Sequence, residues 1–124
     1  MQHNSLKGLW ILVIEDESIV SMFIEDTLAD IGCVVAGTAS RLDEALHKVA
    51  SVTFDAVVLD LNLNGALTHP VADAIVAKGR PFIFSTGYGS GGLPNMFRGV
   101  PVLTKPFLER DLTRALIAAI ATKD

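Results

Sequence analysis

The chain has 124 residues, half of them apolar, with ten basic against fourteen acidic side chains and a formal charge of −4. That is chain enough for one packed domain, without the basic footprint that direct nucleic-acid binding requires. A single cysteine, Cys33, leaves no disulfide framework and no thiolate metal cluster, and no apolar run approaches the roughly 18 residues of a membrane span. The apolar run at residues 9–14 is too short for a signal sequence and leads straight into acids. A cytoplasmic location is therefore expected.

In chain order, residues 1–8 read as a short, loose polar leader. Residues 9–14 are a continuous apolar run, a first buried strand, which ends in Glu15-Asp16-Glu17. Carboxylates so crowded repel one another unless a cation or solvent relieves them. Ser18 is expected to cap a helix running to about residue 30, with Ile19, Val20, Phe23, Ile24, Leu28 and Ile31 at helical spacing and Gly32 as the stop. A second strand at 34–39 leads to a helix at 41–51 with Leu42, Ala45, Leu46 and Val49 on one face. Residues 56–59 are apolar without a break, the pattern of a central strand in a parallel sheet, and they deliver Asp60 to its end.

Beyond Asp60, residues 61–65 read as a loop, and Pro70 precedes a third helix over 71–78 that Gly79 ends. Residues 82–86 make a fourth strand ending in the hydroxyl of Thr86. The glycine-rich stretch 87–99 supports one helical turn at most, opened by Pro94 and closed by Gly99. A fifth strand at 100–104 reaches Lys105-Pro106, and a last helix spans 108–122 with Leu112, Ala115, Leu116, Ala119 and Ile120 inward. Strands alternating with helices predict a five-stranded parallel sheet, doubly wound, with helices on both faces.

In such a sheet every carboxyl strand end faces the same crevice, where ligands bind. Glu15, Asp16, Asp60, Thr86 and Lys105 all fall there. Three carboxylates make a hard-oxygen site suited to Mg²⁺, and Lys105 is a point cation for a carboxylate or a phosphoryl oxygen. An acid nucleophile, a divalent metal, a lysine and a hydroxyl form a kit for phosphoryl transfer, which is mostly positioning and charge neutralisation. His3, His47 and His69 have no second ligand at metal spacing and are expected on the surface.

At these residues the chain resembles the receiver domains of two-component response regulators, over about residues 7–121. Ile14-Glu15-Asp16-Glu17, Val58-Leu59-Asp60, Ser85-Thr86-Gly87 and Thr104-Lys105-Pro106-Phe107 match the family's motifs in order and spacing. The resemblance implies a flavodoxin-like fold and phosphorylation of Asp60 by a histidine kinase or phosphotransfer protein. It implies that Asp16 binds Mg²⁺ directly, Glu15 mainly through water, and Asn62 through its backbone carbonyl. Thr86 and Lys105 would hold the phosphoryl group, and the Lys105–Pro106 bond would be cis.

Two departures bear on mechanism. The loop after Asp60 lacks the family's usual Met-Pro pair, and Val102 stands where an aromatic switch residue is usual. Phe84-Ser85-Thr86-Gly87-Tyr88 instead resembles a subgroup with a Phe-Ala-Thr-Gly-x-Tyr motif, in which Ser85 replaces the alanine. The switch is therefore expected at Tyr88. Receivers of that subgroup often lack an output domain, so a single receiver domain over 1–124 is expected, acting through protein partners, with a homodimer left open.

Two other functions compete. A small phosphatase of the haloacid-dehalogenase type would use Asp60 as nucleophile, but it needs an acid two residues later, where this chain has Asn62. A flavodoxin-like cofactor binder needs a phosphate-cradling glycine-rich loop after the first strand, where this chain has acids.

Overall fold

The computed structural model describes residues 6–87, 97 and 99–123. Five parallel strands form the sheet: β1 (Trp10–Ile14), β2 (Val34–Ala39), β3 (Ala56–Asp60), β6 (Phe82–Thr86) and β7 (Val102–Thr104), in the order β2-β1-β3-β6-β7. A short hairpin, β4 (Asn62–Leu63) with β5 (Ala66–Leu67), projects after β3. Helices α1 (Ser18–Asp30) and α4 (Glu109–Lys123) cover one face of the sheet, and α2 (Leu42–Ser51) and α3 (His69–Ala77) the other.

Burial explains this layering. Along β3 the side chains alternate between the two cores, Val57 and Leu59 to one and Ala56 and Val58 to the other, so no position can be polar until the strand ends. Leu12, Phe82, Phe84, Val49 and Ile75 fill the α2–α3 side, while Ile11, Ile24, Leu28, Ile83 and Leu112 fill the α1–α4 side. The order of the strands reverses between β1 and β3. Glu15 and Asp60 flank that switch point, where the crossovers diverge and a crevice opens.

Several expectations need correction. Leu6 is buried to 1 % exposure and the Gly8 amide donates to the Gly32 carbonyl, so the leader is docked from residue 6 onward. Ser18 is the first helical residue and not the cap; Glu17 holds the cap position without a side-chain cap bond. The α1 stripe turns inward at Ile24, Thr27 and Leu28, leaving Ile19, Met22 and Phe23 exposed. Leu46, expected on the buried face of α2, is also exposed.

The predicted loop after Asp60 is a hairpin. Asn64 and Gly65 adopt φ of 52° and 93°, as a two-residue turn with both central residues left-handed demands. Helix α3 starts at His69, earlier than predicted, because Pro70 in the first turn needs no amide partner. That start brings the half-buried His69 ring to 5.9 Å from the Phe97 ring, so it is not a plain surface residue, whereas His47 is exposed. The fifth parallel strand is shorter than predicted, starting at Val102. His3, Tyr88 and the start of the proposed turn at Pro94 lie outside the described residues.

Candidate functional site

β1 carries Glu15 and Asp16 to the crevice, β3 carries Asp60, β6 carries Thr86, and the segment after β7 carries Lys105. Carboxylate oxygens of Glu15, Asp16 and Asp60 lie within 4.8 Å of one another. Lys105 Nζ stands between two of these acids, 3.0 Å from Asp60 Oδ2 and 3.0 and 3.2 Å from the two oxygens of Glu15. It donates to Glu15 Oε2 but not to Oε1, which is buried without a hydrogen bond among the described residues. Glu17, more exposed, has its carboxylate 3.9 Å from the same ammonium.

Backbone amides hold the acids in place. The Asn62 amide donates to Asp60 Oδ1 at 3.1 Å, the Glu17 amide to Glu15 Oε2 at 3.1 Å, and the Asn64 amide to Asp16 Oδ2 at 2.8 Å. Asn62 Oδ1 accepts from the Gly65 amide, which ties the hairpin turn to the site. Thr68, fully buried, donates its hydroxyl to the Asp60 carbonyl at 2.6 Å, fixing the strand end from below. Thr86 is buried and its carbonyl accepts the Lys105 amide at 2.8 Å, so the two strand ends are joined beside the acids. The Lys105–Pro106 peptide is cis, as the resemblance implied.

Three acids and one lysine leave the cluster short of positive charge. Burial, and then repulsion from Asp60, raise the Glu15 carboxyl to about 7 despite the pull of Lys105. Burial also raises Asp60, against the Asn62 amide, Lys105 and a hydrogen bond with Glu15. Desolvation works to lower Lys105, but the two carboxylates together outweigh it and raise it. An orphaned, buried Glu15 oxygen facing two further carboxylates fits a hard divalent cation, which would relieve each of these costs.

The structure therefore gathers Glu15, Asp16 and Asp60 within 4.8 Å of one another, sets Lys105 between Glu15 and Asp60 and the Asn62 amide on Asp60, and buries Thr86 at the end of the neighbouring strand. Sequence reading missed two contributors, Thr68 and Asn64, and named Glu17 among the crowded acids without giving it a place in the site. The Asn64-Gly65 pair between apolar residues was a readable hairpin signal that would have brought the Asn64 amide into view. No sequence signal points to Thr68, whose role depends on where the chain folds back under Asp60.

An open parallel sheet with an acid cluster and a lysine at its switch point defines a class of α/β domain with a charged crevice at the carboxyl ends of its strands. The family profile described as response regulator receiver domain matches residues 11–117, and the chain belongs to that family. Among solved structures it is similar to SdrG from Sphingomonas melonis Fr1, with 37 % identity and a TM-score of 0.83 over 91 % of this chain and 97 % of that one. The receiver domain of the PhyR response regulator from Erythrobacter litoralis is 28 % identical, with a TM-score of 0.80 over 94 % and 93 % of the two chains. A curated relative, protein-glutamate methylesterase/protein-glutamine glutaminase 4 of Geobacter metallireducens, is 36 % identical over 78 residues, 54 % of this chain. The match spans only 22 % of that relative's length. Among the described residues no helix is long and apolar enough to cross a membrane.

Proposed function

We propose that the chain is a phosphoacceptor of a two-component or phosphorelay system, working in the cytoplasm. Asp60 takes a phosphoryl group from a phosphohistidine on a sensor kinase or phosphotransfer protein, and the modified chain acts by binding a protein partner. The observation that carries this reading is Asp60 itself: 4 % exposed at the switch point, 3.0 Å from Lys105 Nζ, with Glu15 and Asp16 within 4.8 Å.

Glu15, Asp16, Asp60 and the backbone carbonyl of Asn62 are the residues that would hold Mg²⁺, whose chemistry is to neutralise phosphoryl oxygens and orient them. Lys105 releases Asp60 and pairs with the transferred group, and the Thr86 hydroxyl bonds another of its oxygens. We assign the read-out to Tyr88 on sequence grounds, since half-buried Val102 has neither ring nor hydroxyl to trade partners. The chain is no enzyme beyond taking phosphoryl groups from small donors and losing them by self-dephosphorylation. A phosphatase is disfavoured: Asn62, where a leaving-group acid would stand, has its amide on Asp60 and its side chain on the turn.

The exposed end of α1 supports a docking face for the phosphohistidine partner. Ile19 and Met22 are 81 % and 60 % exposed, and Phe23 stacks on Phe107 at 5.5 Å beside exposed Leu108. These side chains follow directly on the acid cluster and on Lys105-Pro106, so a helix seated on them would present its histidine to Asp60. The deciding experiment is incubation with acetyl phosphate and Mg²⁺, then with labelled kinases. One phosphoryl group on the wild type and none on Asp60→Asn is the expected result; equal labelling of the variant would refute it.

A further inference from the structure

Ser85 is fully buried, and among the described residues its hydroxyl has no hydrogen-bond partner. A buried donor left unpaired costs stability, so it calls for another state of the molecule in which it is used. The sheet register identifies that state. Asp60 on β3 and Leu103 on β7 are the register partners of Ser85 on β6. Neighbouring strands lie ~4.8 Å apart, and partners in register project from the same face. Lys105 follows β7, and its Nζ reaches Asp60 Oδ2 at 3.0 Å. Since β6 lies between β7 and β3, that ion pair bridges across β6 at the level of Ser85.

We propose that the Ser85 hydroxyl is the hydrogen-bond donor to the Asp60 carboxyl in the phosphorylated state, taking the place that Lys105 leaves. The proposal rests on Asp60 being the phosphoacceptor. In the unmodified chain both Asp60 oxygens already hold donors, Oδ1 from the Asn62 amide and Oδ2 from Lys105. The Ser85 hydroxyl makes no hydrogen bond to Asp60 in that state. With acetyl phosphate as donor, one Asp60 oxygen forms the new P–O bond while the donor's P–O bond breaks and acetate leaves with the electron pair. The negative charge of Asp60 is then gone, and the charge at the site lies on the phosphoryl oxygens, which attract the ammonium of Lys105. With Oδ1 carrying the phosphoryl group, Oδ2 is left as the carbonyl oxygen and has lost its charged donor, in a residue that is only 4 % exposed. Ser85 is the neutral donor buried beside it on the same face. An alanine at this position would leave the resting state intact and the modified state one hydrogen bond short.

The test titrates beryllofluoride, a phosphoryl mimic that binds the acceptor carboxylate, in Mg²⁺ against wild type, Ser85→Ala, Ser85→Cys and Asp60→Asn, read by thermal melting. Without beryllofluoride, Ser85→Ala should melt at or above the wild-type temperature, because an unpaired hydroxyl has been removed. Its affinity for beryllofluoride should fall about tenfold, which is about 1.4 kcal/mol. Ser85→Cys, similar in shape but a weak donor, should fall likewise. Unchanged affinity in both serine variants, with wild type binding and Asp60→Asn not, would overturn the role of Ser85 and leave the phosphoacceptor reading standing. A wild type that binds no beryllofluoride, or an Asp60→Asn variant that binds it equally well, would overturn that reading and this one together.

Discussion

Glu15→Gln should make the metal-free protein more stable at neutral and alkaline pH, although it deletes an ion pair. In the wild type the Glu15 carboxyl is raised from 4.5 to about 7, because burial and the Asp60 charge outweigh the attraction of Lys105. Below pH 4.5 the residue is protonated in folded and unfolded chains alike, and it contributes nothing to the balance. Between 4.5 and about 7 the unfolded chain gives up the proton while the folded chain keeps it, so stability falls as pH rises through that window. Above it the cost is complete. Each pKa unit is worth about 1.4 kcal/mol, so the whole difference is on the order of 3 kcal/mol. For a domain of this size that is roughly 10 °C of melting temperature. Glutamine keeps the shape of the protonated acid and cannot ionise. Melting curves in chelator should therefore separate wild type and variant at pH 8 and bring them together near pH 5. Added Mg²⁺ should raise the wild type more than the variant. A variant less stable than wild type at pH 8, or one with the same pH slope, would refute this account of the cluster.

Millimolar Mg²⁺ should raise the wild-type melting temperature by mass action, and Asp16→Ala should lose most of that gain in a chelator-controlled titration. Met22→Glu, on the exposed face of α1, should slow transfer from a phosphohistidine partner at least several-fold while labelling from acetyl phosphate is unchanged. Thr68→Val should cost about 1 kcal/mol in denaturant unfolding, the worth of one buried hydrogen bond, since it removes the donor beneath the Asp60 carbonyl. Hydrogen exchange over residues 86–99 should change on beryllofluoride addition, and identical exchange in both states would argue against a switch through Tyr88.

The strands were legible because their signal is local. Residues 56–59 are apolar on consecutive positions, a short run with two valines that fits a strand buried on both faces, and their parallel neighbours follow from the helices between them. The inward face of α1 was less legible. Ile19 and Phe23 have the spacing of a core stripe, yet the helix is buried along Ile24 and Leu28, and Ile19 and Phe23 stay exposed. Hydrophobic spacing shows that a face exists but not whether its end reaches past the layer beneath it. The first turns of α1 are exposed for that reason, and the sequence pattern alone assigned them to the core.

The same division holds within the site. Asp60, Lys105 and the Glu15-Asp16 pair could be read because parallel strands send their ends to one edge whatever the details of packing. What could not be read is which charge prevails. Lys105 is shared between Glu15 and Asp60, so neither acid has a cation to itself, and the buried Glu15 oxygen that takes no hydrogen bond is the visible remainder of that shortage. A second lysine in reach would have satisfied the cluster and removed its affinity for a divalent ion. With only one among the described residues, the resting site is held short of neutrality, and a metal or a transferred phosphoryl group would meet a lysine that has reason to move. The position of Lys105 between Glu15 and Asp60 would couple metal binding to the chemistry of Asp60 through a single side chain, and Glu15→Gln tests that coupling from the Glu15 side with Lys105 and Asp60 both retained.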